Sequence, residues 1–268
     1  MSKLSVWVFR VVAGYLILAW SVVTLVDFLQ LIEIRTLLWW RLFTEGSPTE
    51  WLQWICIAGC IVTTAYLWGR TSATGERHAA AYGFLAAGFA IMLIEDAGNI
   101  RHHVGNILMV NVLGHESTTS IAKNLFELAF YGTLGILMSW PFLRYGLQIP
   151  FQRRSFLLIL SGYAAYFVAA ASSATRYMGD WYVHAGGVVL QAFDTAGHAS
   201  WTRMEENVSG REAPLDRMEF WLMDYLYEES IELIGAGCLL AGFLSLAAAQ
   251  SKRSRCMPTP PSGMATTA

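Results

Sequence analysis

The sequence predicts an all-α fold: a polytopic membrane helix bundle with six transmembrane helices and both termini cytoplasmic. Three observations predict it. Six apolar runs lie at residues 7–28, 51–68, 79–94, 126–143, 156–174 and 220–249, each near the ~20 residues that cross a ~30 Å hydrocarbon layer. Composition agrees, with 55% hydrophobic residues, 14% charged and eleven Trp, many at run ends where indole rings favour the interface. The charges are also unevenly shared: one side, run ends included, carries Lys3, Arg10, Arg70, Arg77, Arg144, Arg153, Arg154, Lys252, Arg253 and Arg255 with Glu76 as the sole acid, and the other side, run ends included, holds nineteen acids and eight cations.

Lys and Arg near span ends are retained in the cytoplasm, so segments 29–50, 95–125 and 175–219 are expected outside. Residues 1–250 then form one six-helix domain. Residues 251–268, rich in Pro, Ser, Thr and Arg, are expected to form a disordered cytoplasmic tail. Lys3 and Arg10 before an apolar stretch resemble a secretory signal, but no small-x-small cleavage site follows before Asp27, and a retained first helix is expected. The expected location is a bacterial inner membrane; the expected partners are the lipid bilayer and other membrane subunits, with no nucleic acid.

Cys56 and Cys60 lie one turn apart in the second run, Cys238 is in the sixth and Cys256 in the tail. Small apolar packing explains them, and no structural disulfide is expected. The chain has no Gly-rich phosphate loop, G-x-S-x-G elbow, C-x-x-C or H-E-x-x-H, which removes the usual soluble-enzyme chemistries.

What remains is ionisable residues at the outer ends of the spans. The third run has sixteen residues, about 24 Å of helix, which brings Glu95 and Asp96 to the leaflet boundary. If that helix continues, Glu95, Asn99, His102 and Asn106 share one stripe, with Asp96 and His103 beside it and Arg101 pointing away. A carboxylate and two imidazoles on one face suit a divalent metal such as iron, zinc, copper or manganese. A solvated, capped helix end explains the same residues equally well.

The sixth span is more demanding. Asp216-x-x-Glu219 after Pro214 reads as a capping box, so the helix should start near Asp216. Asp224, Glu228 and Glu232 then fall at i, i+4 and i+8, with Glu229 at the edge of the stripe, two to four turns inside the helix. The macrodipole fades within the first turn and cannot stabilise them there. Arg217 is the one cation within three turns upstream, and none follows until Lys252. Four like charges at this depth need a metal, shared protons, or Arg and His from other helices.

Glu127, with Lys123 one turn before it, and Asp27 bring two more carboxylates to a similar depth. The convergence resembles carboxylate-bridged dimetal sites in helix bundles, although the Glu-x-x-His pairs of ferritin-like proteins are missing and the sixth span offers Glu229-x-x-Glu232 instead. The metal-ligand candidates are Glu95, His102, His103, Glu127, Glu229 and Glu232, with Asp96, Asn99, Arg101, Asp224 and Glu228 in support.

Five of the six histidines belong to outer segments, and Asp180-x-x-x-His184 recurs as Asp194-x-x-x-His198. That spacing is similar to the copper-ligand spacing in one subunit of membrane monooxygenases, a single short pattern. Residues 185–193 between the pairs are apolar, so the segment is a candidate lid or second site. Gly83, Ala87, Gly88, Gly132, Gly135, Gly235, Gly237, Ala241 and Gly242 suggest close contact among the third, fourth and sixth spans. Two functions remain: a metal-dependent membrane enzyme, hydrolase or oxidoreductase, acting on a lipid-like or apolar substrate, or a proton- or cation-coupled transporter using the same carboxylates. A non-catalytic assembly subunit is the third possibility.

Overall fold

The computed structural model describes residues 2–29, 31, 38–107, 121–176, 178–193 and 218–255, and within them the chain is helical, with no strand. Ten α-helices are described: α1 (Lys3–Val23), α2 (Leu38–Phe43), α3 (Pro48–Ala73), α4 (Ala79–Gly98), α5 (Ile100–Ile107), α6 (Ile121–Tyr145), α7 (Arg153–Thr175), α8 (Trp181–Phe193), α9 (Met218–Trp221) and α10 (Glu228–Arg255). Six helical stretches are long and apolar enough to cross a membrane: Lys3–Phe28, Leu38–Ala73, Ala79–Gly98, Leu125–Tyr145, Arg153–Thr175 and Glu219–Lys252. They coincide with the six apolar runs. The tail beyond Arg255, Asp216 of the expected capping box, and Asp194 and His198 of the second Asp–His pair lie outside the described residues.

The last span is the centre of the bundle. In its apolar window 72% of residues are buried, against 17–39% in the other five, and it packs against α7, α3 and α1. Its sequence explains this, because α10 is rich in Gly and Ala. A Cβ at Gly162 of α7 would lie 2.8 Å from the carbonyl oxygen of Gly235, and one at Gly235 would lie 2.9 Å from the Tyr166 ring; only glycine permits this approach. Two hydrogen bonds tie α1 to the same helix, from Ser5 Oγ to the Ala241 carbonyl at 2.7 Å and from Trp20 Nε1 to Ser230 Oγ at 2.9 Å.

This corrects the expected packing. The α10 glycines meet α7 and α1: Gly235 faces Ala165 and Tyr166, Gly242 faces Leu158 and Ile159, and Gly237 faces Val12. Gly88 of α4 does sit against Met138 of α6, but Gly132 and Gly135 of α6 have open space where a Cβ would be. Contact of α4 with α10 includes the large Phe89 and Phe243 rings, packed edge to face.

Two spans change register near the same end of the bundle. The α1 helix passes into a π-helical turn at Thr24–Phe28, and α9 joins α10 through a π-helical segment, Leu222–Tyr227. Such i→i+5 segments are rare and recur at functional sites. Here the second one carries Asp224, four residues before Glu228.

The α4 helix stops before the expected histidine stripe. Asn99 adopts a left-handed conformation, φ +46°, its N–H caps the carbonyls of Glu95 and Asp96, and α5 begins at Ile100 as a separate helix. Gly98 weakens the helix and Asn tolerates the left-handed region through local hydrogen bonding. The stripe of Glu95, Asn99, His102 and Asn106 therefore does not form on one continuous helix.

Candidate functional site

A cavity of about 740 Å³ lies among α3, α4, α6, α7 and the last span. Its position follows from the acids that the sequence buries. At one end, among the described residues, are Glu45, Glu50, Glu95, Asp96, Asp224, Glu228, Glu229 and Glu232, eight carboxylates, and one basic lining residue, Arg176. The rest of the wall is mostly apolar and aromatic, including Ile57, Met92, Leu134, Met138, Leu160 and Phe167, with Gln53, Asn99, Ser139 and Ser173 as polar members.

Three small polar networks organise the acidic end. In the first, Gln53 of α3 donates from Nε2 to Asp96 Oδ2 at 2.9 Å and to Glu232 Oε2 at 2.8 Å, so α4 and the last span meet through one amide and the two carboxylate oxygens lie within two hydrogen-bond lengths of each other. Trp54 Nε1 also donates to Asp96 Oδ2, at 3.0 Å. In the second, Arg176, at the end of α7 and 8% exposed, donates from Nη1 to Asp224 Oδ1 at 2.8 Å and places Nη2 3.8 Å from Glu127 Oε1. In the third, the buried Tyr182 of α8 donates to Glu228 Oε1. Burial first, then the Glu228 carboxylate, pushes the Tyr182 phenol well above its usual range, with Arg176 opposing them weakly.

Glu50 is buried near the start of α3 and accepts from the Gly46 N–H. Glu45 accepts from Asn99 Nδ2 at 3.1 Å. Glu229 stands on α10 near Glu232 and lines the chamber, with its Oε2 buried and accepting no hydrogen bond among the described residues.

The expected site residues thus separate into two groups. Glu95, Asp96, Asn99, Asp224, Glu228, Glu229 and Glu232 all line the chamber. The imidazoles lie elsewhere: His103 on α5 is exposed, His184 lies on α8, and neither lines the chamber. The backbone of Arg101 and His102 belongs to α5, and their side chains are outside the described residues. Glu127 is buried and meets Arg176 across the bundle; the expected partner Lys123 has no described side chain. Among the described residues, no group of three or more His, Cys, Asp and Glu side chains is arranged to hold a metal ion.

Asp27 serves the fold. Its carboxylate accepts from the N–H groups of Leu38 at 3.1 Å and Trp39 at 2.7 Å, capping α2. In the lid segment, Asp180 is exposed, and the His184 N–H bonds the Asp180 carbonyl at 2.8 Å as the first turn of α8. Tyr182 links α8 to Glu228 of the site. Cys56, Cys60 and Cys238 are buried free thiols.

Sequence reasoning did not find Gln53, Trp54, Glu50, Arg176 or Tyr182. The first three sit at the head of an apolar run and read as interface residues. Arg176 and Tyr182 become visible only once α7 and α8 are placed against Asp224 and Glu228.

Electrostatics decides what the chamber can do. Two unit charges ~5 Å apart repel by about 3 kcal/mol at an effective dielectric of ~20, and the described carboxylates outnumber the described guanidinium. Shared protons, a bound cation or Arg and His side chains beyond the described residues would each offset that repulsion. The fold and site define an all-helical bundle, with six helices long and apolar enough to cross a membrane, around a chamber lined by carboxylates. No protein-family model, curated protein or solved structure matches the chain.

Proposed function

We propose that the chamber is a cation site in a membrane transporter, in which Asp96, Glu228, Glu229 and Glu232 exchange protons for a cation. One observation carries this reading: among the described residues, eight carboxylates from α3, α4, the last span and the loop before α3 line one cavity with one guanidinium. The oxygen-only donor set suits protons and hard cations. The Lys and Arg asymmetry of the connecting segments supports cytoplasmic termini, with the chamber opening towards the outer side of a bacterial inner membrane.

The geometry favours this over the metal-dependent enzyme expected from the Glu and His pattern, because the described imidazoles stand away from the carboxylates. Separate experiments distinguish the two. In proteoliposomes containing a pH-sensitive dye, an imposed cation gradient should drive proton movement in the opposite direction, and Glu232→Gln should abolish it while the protein still reconstitutes. Wild-type vesicles no more permeable than empty ones would overturn the transport reading. Elemental analysis by mass spectrometry provides the contrast: near-stoichiometric iron, zinc, copper or manganese lost in Glu232→Gln would favour the metal-dependent enzyme.

A further inference from the structure

The chamber is much larger than protons or a bare metal ion require. At about 740 Å³ it falls within the ~300–1,000 Å³ of small-molecule sites, and its wall changes character along its length. One end is carboxylate. The other is built from apolar side chains of α6 and α7, where Leu160 and Phe167 line the chamber while being 52% and 75% exposed. These two residues are seven apart, two turns along one face of α7, so the chamber is open along the seam between α6 and α7. In a span this seam faces lipid.

A second, independent feature points to the head group of the occupant. Gln53 is 1% exposed and lines the chamber, and its Nε2 is committed to Asp96 and Glu232. Gln53 Oε1 and Glu229 Oε2 are both buried, and neither accepts a hydrogen bond among the described residues. A buried acceptor without a donor is unfavourable. Two such acceptors among carboxylates call for a group with positive charge and N–H donors. Trp54 and Tyr225 also line this end of the chamber.

We propose that the chamber takes an amphiphilic organic amine in its protonated form, entering from the lipid phase between α6 and α7. Its ammonium N–H groups meet Gln53 Oε1, Glu229 and Glu232, and its apolar part lies along Leu160, Phe167 and Met138. This deepens the cation-site reading and rests on it.

The test uses the full chain in phosphatidylcholine nanodiscs, with binding followed by tryptophan fluorescence and thermal shift. Octylamine is compared with octyltrimethylammonium, which has the charge without N–H donors, and octanol, which lacks the charge. Octylamine should bind saturably and at least tenfold more tightly than octyltrimethylammonium, octanol should not saturate, and both Glu232→Gln and Gln53→Met should weaken octylamine at least tenfold. Equal affinity for the two ammonium probes, or octylamine binding unchanged in both variants, would overturn the proposal. If octylamine fails to bind while wild-type proteoliposomes still show Glu232-dependent proton–cation exchange, the amine inference falls and the transport reading stands. If both fail, both fall.

Discussion

The guanidinium of Arg176, at the end of α7, donates to the carboxylate of Asp224 in the π-helical segment at 2.8 Å. This pair joins the two most extensively packed helices at the acidic end of the chamber, and Arg176 reaches Glu127 of α6 as well. Removing one partner of a buried ion pair costs about 3–5 kcal/mol, because the charge left behind is uncompensated. Arg176→Met should therefore lower the apparent Tm by several degrees. Adding Asp224→Asn, which removes the stranded carboxylate, should restore part of the loss. A double variant no more stable than Arg176→Met would refute the electrostatic account.

Tyr182 makes the stability of the fold depend on pH at the alkaline end. Its phenol is held above the ~10 of a free tyrosine, so the folded protein binds that proton more tightly than the unfolded chain. The associated stability is complete below pH ~10 and is lost as pH rises towards the folded value. Tyr182→Phe leaves the buried Glu228 acceptor without this donor, at about 1–3 kcal/mol, and also removes the alkaline loss. The variant should be less stable at pH 8, and its deficit should shrink as pH is raised to 11. Parallel thermal-melt curves across that range would contradict this.

Asn99 decides where α4 ends. A left-handed backbone costs a residue with a Cβ roughly 1–2 kcal/mol, while Gly has no such penalty. Asn99→Gly should melt above Asn99→Ala, although both lose the exposed bond to Glu45. The reverse order would mean that a continuous helix runs through this position in solution.

The same residue marks the limit of what the sequence makes legible. Spans are visible because about twenty consecutive apolar residues permit one solution in lipid, and the acidic end is visible because Asp224, Glu228, Glu229 and Glu232 lie too deep for the dipole to help them. The helix break at Asn99 rests on one residue's φ, a choice that periodicity does not encode, and with it goes the Glu–His face. The partners of the acids are non-local: Gln53 is 179 residues from Glu232 and Arg176 is 48 from Asp224. Nothing in their own neighbourhoods distinguishes them from interface polar residues. The π-helical segment is equally hidden, since its apolar pattern continues that of the flanking helices.

The glycines show why a residue type alone does not report packing. Gly162 and Gly132 lie in neighbouring spans of similar composition, yet a Cβ at Gly162 would meet Leu239 Cγ at 2.6 Å and the Gly235 carbonyl at 2.8 Å, whereas one at Gly132 meets nothing within 4 Å. In the first case the added methyl must push α7 from α10, and overpacking of this kind costs about 1–3 kcal/mol. In the second it only removes the backbone freedom of Gly, a gain of up to about 1 kcal/mol in a helix. Gly162→Ala should lower the Tm and Gly132→Ala should leave it unchanged or raise it, both measured in the same lipid. Because Leu239 and Gly235 lie about two turns or less from Glu232 along the helix, the Gly162 variant should also weaken any cation response of the chamber, while Gly132→Ala should leave it intact. Equal effects of the two changes would mean that α7 and α10 do not make this close approach.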